Sequence, residues 1–195
     1  MKKYIIIGVL LFFLFSCSSS SMQSELDQQR LHEAYKTFDH SIIETEIDRQ
    51  LKVYPKSITL MTNKIRYLYM RKESKDAENL LKQMIRMKPQ LAEAYVGLGM
   101  LSIITENKDK EVLYLNKAVN LFSKRFESSK SEMEIQSNLV NIILIKKLLN
   151  YDTTKEIIKL SNLQNGSINE LKYIKYFENM SNKEIAIELL QWGQM

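Results

Sequence analysis

Residues 77–89 read Ala77-Glu78-Asn79-Leu80-Leu81-Lys82-Gln83-Met84-Ile85-Arg86-Met87-Lys88-Pro89. Ala77, Leu81 and Ile85 recur at every fourth residue among charged and amide side chains, which predicts a helix with one apolar stripe. Pro89 closes it, because proline has no amide hydrogen and disfavours helical backbone in the residue before it. The same arrangement occurs one period earlier, with Ile43, Ile47 and Leu51 at the same distances from Tyr54-Pro55. It occurs again one period later as Glu111, Leu115 and Val119, with Ser123 in the place of the proline. A fixed period of roughly 34 residues predicts stacked helix–turn–helix units, each burying its apolar face against its neighbour.

The composition agrees. Five glycines and two prolines in 195 residues are too few for the turns of a sheet protein. Leu, Ile, Lys, Glu, Asn and Met dominate, a mixture that favours helices. The chain therefore reads as all-α.

The repeated units resemble the tetratricopeptide repeat. Ala92-Glu93-Ala94-Tyr95-Val96-Gly97-Leu98-Gly99 looks like that family's first helix, with an aromatic residue, then leucine, then glycine where helices cross closely. Ala77 to Met84, followed by Lys88-Pro89, looks like its second helix and closing proline, and Ala118 falls on a second small-residue position. Ile65, Met84 and Glu111 stand where the family usually has glycine, alanine and alanine. The resemblance covers residues 24–125 as three hairpins. It implies a right-handed superhelical stack of antiparallel helix hairpins, with close helix contacts at Ala77 and Gly99. A related hairpin repeat, of the kind in Sel1-like or pilus-assembly proteins, is the alternative.

Residues 126–195 lose the period but stay helical, and read as degenerate hairpins or capping helices. Leu139, Val140, Ile142 to Ile145, Leu148 and Leu149 make a helix apolar on most sides, as an internal helix would be. Asp152 or Thr153 can cap a short helix carrying Ile157, Ile158, Leu160 and Leu163. Asn165-Gly166 reads as a turn. Leu171, Ile174, Phe177 and Met180 then step along one face, and Ser181 with Glu184 makes a capping box for a last helix carrying Ile185, Leu189, Leu190 and Trp192. An open stack needs such a terminal unit to hide its last apolar surface.

The N-terminus reads as an export signal. Lys2 and Lys3 precede an apolar run from Tyr4 to Phe15, broken only by Gly8, and Ser16-Cys17 and further serines follow. A run of about 12 residues is shorter than the roughly 20 a membrane-spanning helix needs. Its end resembles the lipobox of bacterial lipoproteins, in which the cysteine becomes the lipidated N-terminus; Phe15 departs from that pattern. Residues 1–16 would then be a lipoprotein signal peptide, Cys17 the acylated (palmitate-carrying) residue, and 17–23 a flexible tether. An ordinary signal peptide or anchor with an incidental cysteine is the other reading. Ser18, rather than aspartate, after the cysteine points by the same resemblance to the outer membrane, facing the periplasm.

Loss of residues 1–16 removes two lysines and no acids, so the formal charge falls from +5 for the whole chain to +3 for residues 17–195. That mixed surface lacks the one-sided basic field of a nucleic-acid binder. Catalytic chemistry is not evident. His32-Glu33-Ala34-Tyr35-Lys36 begins like a zinc-protease helix but has Lys36 where the second histidine belongs. His32 and His40 are not at metal-binding spacing, and an acylated Cys17 is no nucleophile. Glu44 with Glu46, and Glu132 with Glu134, read as solvated faces. The sequence predicts no enzyme, metal or cofactor.

Three readings of function remain. If the hairpins stack as the resemblance implies, their first helices line a concave groove through Gln28, His32, Tyr35 and Lys36, then Thr62, Arg66 and Tyr69, then Val96, Met100 and Ile103. That polar-to-apolar gradient suits an extended peptide or a partner's helix. The lysine and asparagine arrangement that clamps a C-terminal carboxylate is not present. The first reading is a lipid-anchored cell-envelope scaffold that recruits another envelope protein, as similar lipoproteins do in secretin assembly, outer-membrane insertion or control of cell-wall hydrolases. The second is a peptidoglycan-binding or hydrolase accessory protein using Tyr67, Tyr69, Tyr173, Tyr176, Phe177 and Trp192 among Arg66, Arg71, Lys172 and Lys175. Neutralising a toxin at the membrane is a third. For the anchor the expectation is direct: Cys17→Ala should leave an unprocessed precursor and abolish acyl labelling, and undiminished label would contradict it.

Overall fold

The computed structural model describes residues 25–163 and 167–191. The signal, Cys17, the tether, the Asn165-Gly166 turn and Trp192 lie outside the described residues. Within them all regular structure is helical, in the order α1 (Glu25–Lys36), α2 (His40–Val53), α3 (Ile58–Met70), α4 (Ser74–Met87), α5 (Ala92–Ile104), α6 (Lys108–Ser128), α7 (Glu132–Leu148), α8 (Thr154–Ser161), α9 (Ser167–Tyr176) and α10 (Asn182–Gln191). The all-α expectation holds. From α1 to α9 each helix packs on the next, and α9 also touches α7.

The hairpin turns repeat as strictly as the apolar stripe. Phe38, Lys72 and Glu106 sit between the two helices of the first three pairs, at the period of the stripe, with φ of 53°, 61° and 57°. In the second pair Lys72 N–H donates to the Tyr69 carbonyl (2.9 Å) and Glu73 N–H to that of Leu68 (2.8 Å). Glu106 and Asn107 repeat this on Ile103 (3.1 Å) and Ser102 (2.8 Å). One left-handed residue thus closes the helix by satisfying its last carbonyls. The period fades later because α6 and α7 are longer, at 21 and 17 residues against 14 and 13 for α4 and α3. The equivalent residue, Asn150, therefore falls more than one period after Glu106, with φ again 57°.

Helix starts follow side-chain chemistry. Asp39 Oδ1 accepts from Ser41 N–H at 2.8 Å to open α2. Thr153 holds the N-cap position of α8 without a side-chain bond, and Asp152 supplies that bond, its Oδ1 accepting from Thr154 N–H at 3.0 Å. The expected capping box of α10 forms, with Ser181 N–H on Glu184 Oε2 at 2.7 Å and Glu184 N–H on Ser181 Oγ at 3.3 Å.

The stripe residues occupy equivalent buried places. Ile47, Leu81 and Leu115 are buried in successive second helices, as are Ile43, Ala77 and Glu111. Glu111 meets its ion-pair partner Lys108 Nζ at 2.5 Å. The apolar residues form three successive cores. Ala34, Ile43, Ile47 and Tyr67 make the first, Met61 to Leu98 the second, and the third runs from Ala92 to Leu189. The third core joins hairpin three to the C-terminal helices, so the segment after Arg125 is continuous with the repeats.

Two glycines set the spacing around α5. A Cβ on Gly97 would lie 2.8 Å from Leu81 Cδ2, on α4. A Cβ on Gly99 would lie 2.6 Å from Leu115 Cγ, on α6. The close contact expected at Gly99 is therefore present, Gly97 adds one on the opposite neighbour, and Ala77 is wholly buried in the second core.

The turn geometry yields a stability prediction. An L-residue in the left-handed region costs about 1–2 kcal/mol, more than the roughly 0.4–1 kcal/mol by which glycine loosens the unfolded chain. Exposed Lys72 changed to glycine should raise stability by about 0.5–1 kcal/mol, and Lys72→Val should lower it. Thermal unfolding of the two variants checks both signs.

Candidate functional site

The residues expected to line a groove lie on α1, α3 and α5, the first helices of three hairpins, and the structure divides them. His32 and Lys36 are exposed on α1, Lys36 Nζ pairing with Glu33 at 2.8 Å. Tyr35 is half-buried, and loss of water around its phenol raises its pKa even with the Arg66 charge acting against that. Thr62 returns its hydroxyl to its own helix, donating to the Ile58 carbonyl at 2.9 Å. Arg66 is half-buried beside these groups.

Tyr67 and Tyr69 leave α3 toward different neighbours. Tyr67 enters the first core edge-on to His40, ring centroids 5.8 Å apart, and burial pushes its phenol up to about 12. Tyr69 reaches across to α5 and donates to the Gly97 carbonyl at 3.2 Å. Burial holds its phenol well above the ordinary tyrosine value. Tyr69 is thus a spacer between hairpins two and three.

Val96, Met100 and Ile103 do not line an open groove. They are buried, 3–8% exposed, in the third core together with Ile185, Ala186 and Leu189 of α10. α10 folds back to pack on α5 most extensively, and also on α3 and α7. Asn182 Nδ2 donates to the Leu148 carbonyl at 2.8 Å, and Lys183 Nζ meets Glu106 Oε1 at 2.8 Å. The physical reason lies in α5, where ten of 13 residues are buried. A helix apolar all round needs cover on every side. That composition was the available signal for a covering element, although it does not say which segment supplies the cover.

The N-terminal end is held by polar clasps that one-dimensional reading missed. Buried Asp27 on α1 pairs with Arg49 and accepts from Tyr54 Oη at 2.7 Å. Gln50 Nε2 donates to the Asp27 carbonyl at 2.6 Å and to Glu46 Oε1 at 2.8 Å. Arg49 also donates to Glu46 from Nε at 2.9 Å, and these bonds hold the Glu46 carboxyl below its usual range. Between α2 and α3, Lys64 Nζ lies 2.6 Å from Glu44 and 2.7 Å from Asp48, and Arg71 joins Glu44 at 2.7 Å. Glu44 and Glu46 are therefore structural ties rather than solvated faces.

The aromatic and basic set does not gather on one surface. Tyr173 and Phe177 are buried edge to face, centroids 5.1 Å apart, while Tyr176 is exposed with its hydroxyl 3.1 Å from Glu188. Arg71 is engaged by Glu44 and Glu73. Among the described residues no three His, Cys, Asp or Glu side chains are grouped to hold a metal ion. No described helix is long and apolar enough to cross a membrane. No protein-family model, curated protein or solved structure matches this chain.

Proposed function

We propose that the protein is a lipid-anchored envelope scaffold whose first six helices stack as a tetratricopeptide-like right-handed superhelix. In this reading Cys17 carries the lipid, the chain sits in the cell envelope at the periplasmic side of the outer membrane, and the partner is another envelope protein. The repeat assignment draws support from the left-handed turns at Phe38, Lys72 and Glu106, which share the period of the apolar stripe. The single observation that carries the scaffold reading is the exposed and half-buried polar row of His32, Lys36, Thr62 and Arg66 along the first helices of adjacent hairpins. Such a row can engage a peptide without dismantling a core. The peptidoglycan reading is weakened because three of its aromatic residues, Tyr67, Tyr173 and Phe177, are spent in separate cores.

Arg66 and Tyr69 separate binding from packing. Affinity purification from solubilised membranes should recover a stoichiometric partner with the wild type, and Arg66→Ala should reduce its capture about tenfold or more, out of proportion to any change in melting temperature. Tyr69→Ala, which removes the bond to Gly97 and the fill between hairpins, should lower the melting temperature first. Failure to recover any stoichiometric partner, or saturable retention on isolated peptidoglycan, would contradict the scaffold.

A further inference from the structure

α10 lies across α3, α5 and α7, the first helices of the second, third and fourth hairpins. It thus covers the continuation, beyond the polar stretch on α1 and α3, of the row of first helices on which the scaffold reading seats its partner. α10 is ten residues long and two-faced. Ile185, Ala186 and Leu189 are buried, while Lys183, Glu184 and Ile187 are exposed. Two of its inter-helix polar ties sit at its start and a third joins Glu188 to the Tyr176 hydroxyl at 3.1 Å; one of the first two, Lys183 with Glu106, is exposed on both sides at 51% and 77%. An ion pair so open to water holds weakly. A ten-residue helix is also marginal by itself and melts once it leaves its seat. Because α10 follows the last turn of the described chain, its release opens no hairpin among α1 to α8.

We propose that α10 is an internal stand-in for the partner: the site over Val96, Met100 and Ile103 accepts an amphipathic helix with apolar residues at i, i+1 and i+4, and a partner's helix of that pattern displaces α10. The displaced segment becomes disordered as the incoming helix takes its place, so binding and release are coupled. The existence of a partner rests on the scaffold reading. The detachability of α10 does not.

The test uses the full chain and a fluorescein-labelled synthetic peptide with the sequence of residues 180–195. Ile185→Asp, which puts a charge on the buried face of α10, should free the site and bind the peptide at least tenfold more tightly than the wild type. Lys183→Glu, which repels Glu106 and leaves the apolar face intact, should give a smaller gain of about two- to fivefold. In the wild type, amide hydrogen exchange in α10 should be at least 100-fold faster than in α5 and α6. Equal protection of α10 and α5, cooperative loss of all helicity in Ile185→Asp, or a folded Ile185→Asp protein that takes no peptide would each overturn the proposal. Peptide uptake without any copurifying envelope protein would keep the detachable helix and remove the scaffold.

Discussion

The approach of α4 and α6 to opposite sides of α5 is the constraint on which the rest of the molecule depends. Gly97 admits Leu81 from the preceding hairpin, and Gly99 admits Leu115 from its own. Helix packing at this distance leaves no room for a Cβ, so the two leucines fill volume that α5 gives up. With its flanks taken by α4 and α6, α5 has an apolar inner face of Val96, Met100 and Ile103 still to cover, and α10 covers it. The third core, which carries the C-terminal half, grows outward from that arrangement.

The two ends of the stack are held by different forces. At the C-terminal end Ile143, Leu148, Leu160 and Phe177 are wholly buried, and stability comes from apolar area removed from water. At the N-terminal end the first core has four buried members among the described residues, and charged side chains join neighbouring helices instead. Exposed pairs of this kind contribute little each, about 0–1 kcal/mol, but Asp27 and Lys64 are mostly shielded and take several partners at once. Such a hairpin keeps polar groups at its surface, which suits the end where binding to an outside protein is proposed.

Local periodicity made much of the fold legible. The apolar stripe located α2, α4 and α6, proline marked two of their ends, and Gly99 announced a close crossing. The left-handed turns were not legible, because Phe38, Lys72 and Glu106 are residue types that carry no preference for that backbone. The placement of α10 was hidden for a different reason. Its contact joins the last described helix to α5, far apart in the chain, and no short-range spacing encodes so distant a pairing. By helix face alone Val96, Met100 and Ile103 belong to a groove, whereas their apolar character requires something to lie on them. Tyr69 was ambiguous in the sequence because tyrosine serves equally as spacer and as contact, and only its bond to the Gly97 carbonyl distinguishes the two.

The interlock at α5 can be measured directly by a double-mutant cycle on Gly99 and Leu115. Gly99→Ala alone should overpack the contact and cost about 1–3 kcal/mol in chemical denaturation. In a Leu115→Ala background the added methyl has space to enter, so the same substitution should cost at least about 1 kcal/mol less, or become favourable by helix propensity. Equal costs of Gly99→Ala in both backgrounds would show that the two side chains do not share one volume, and would contradict the packing on which the stack is built.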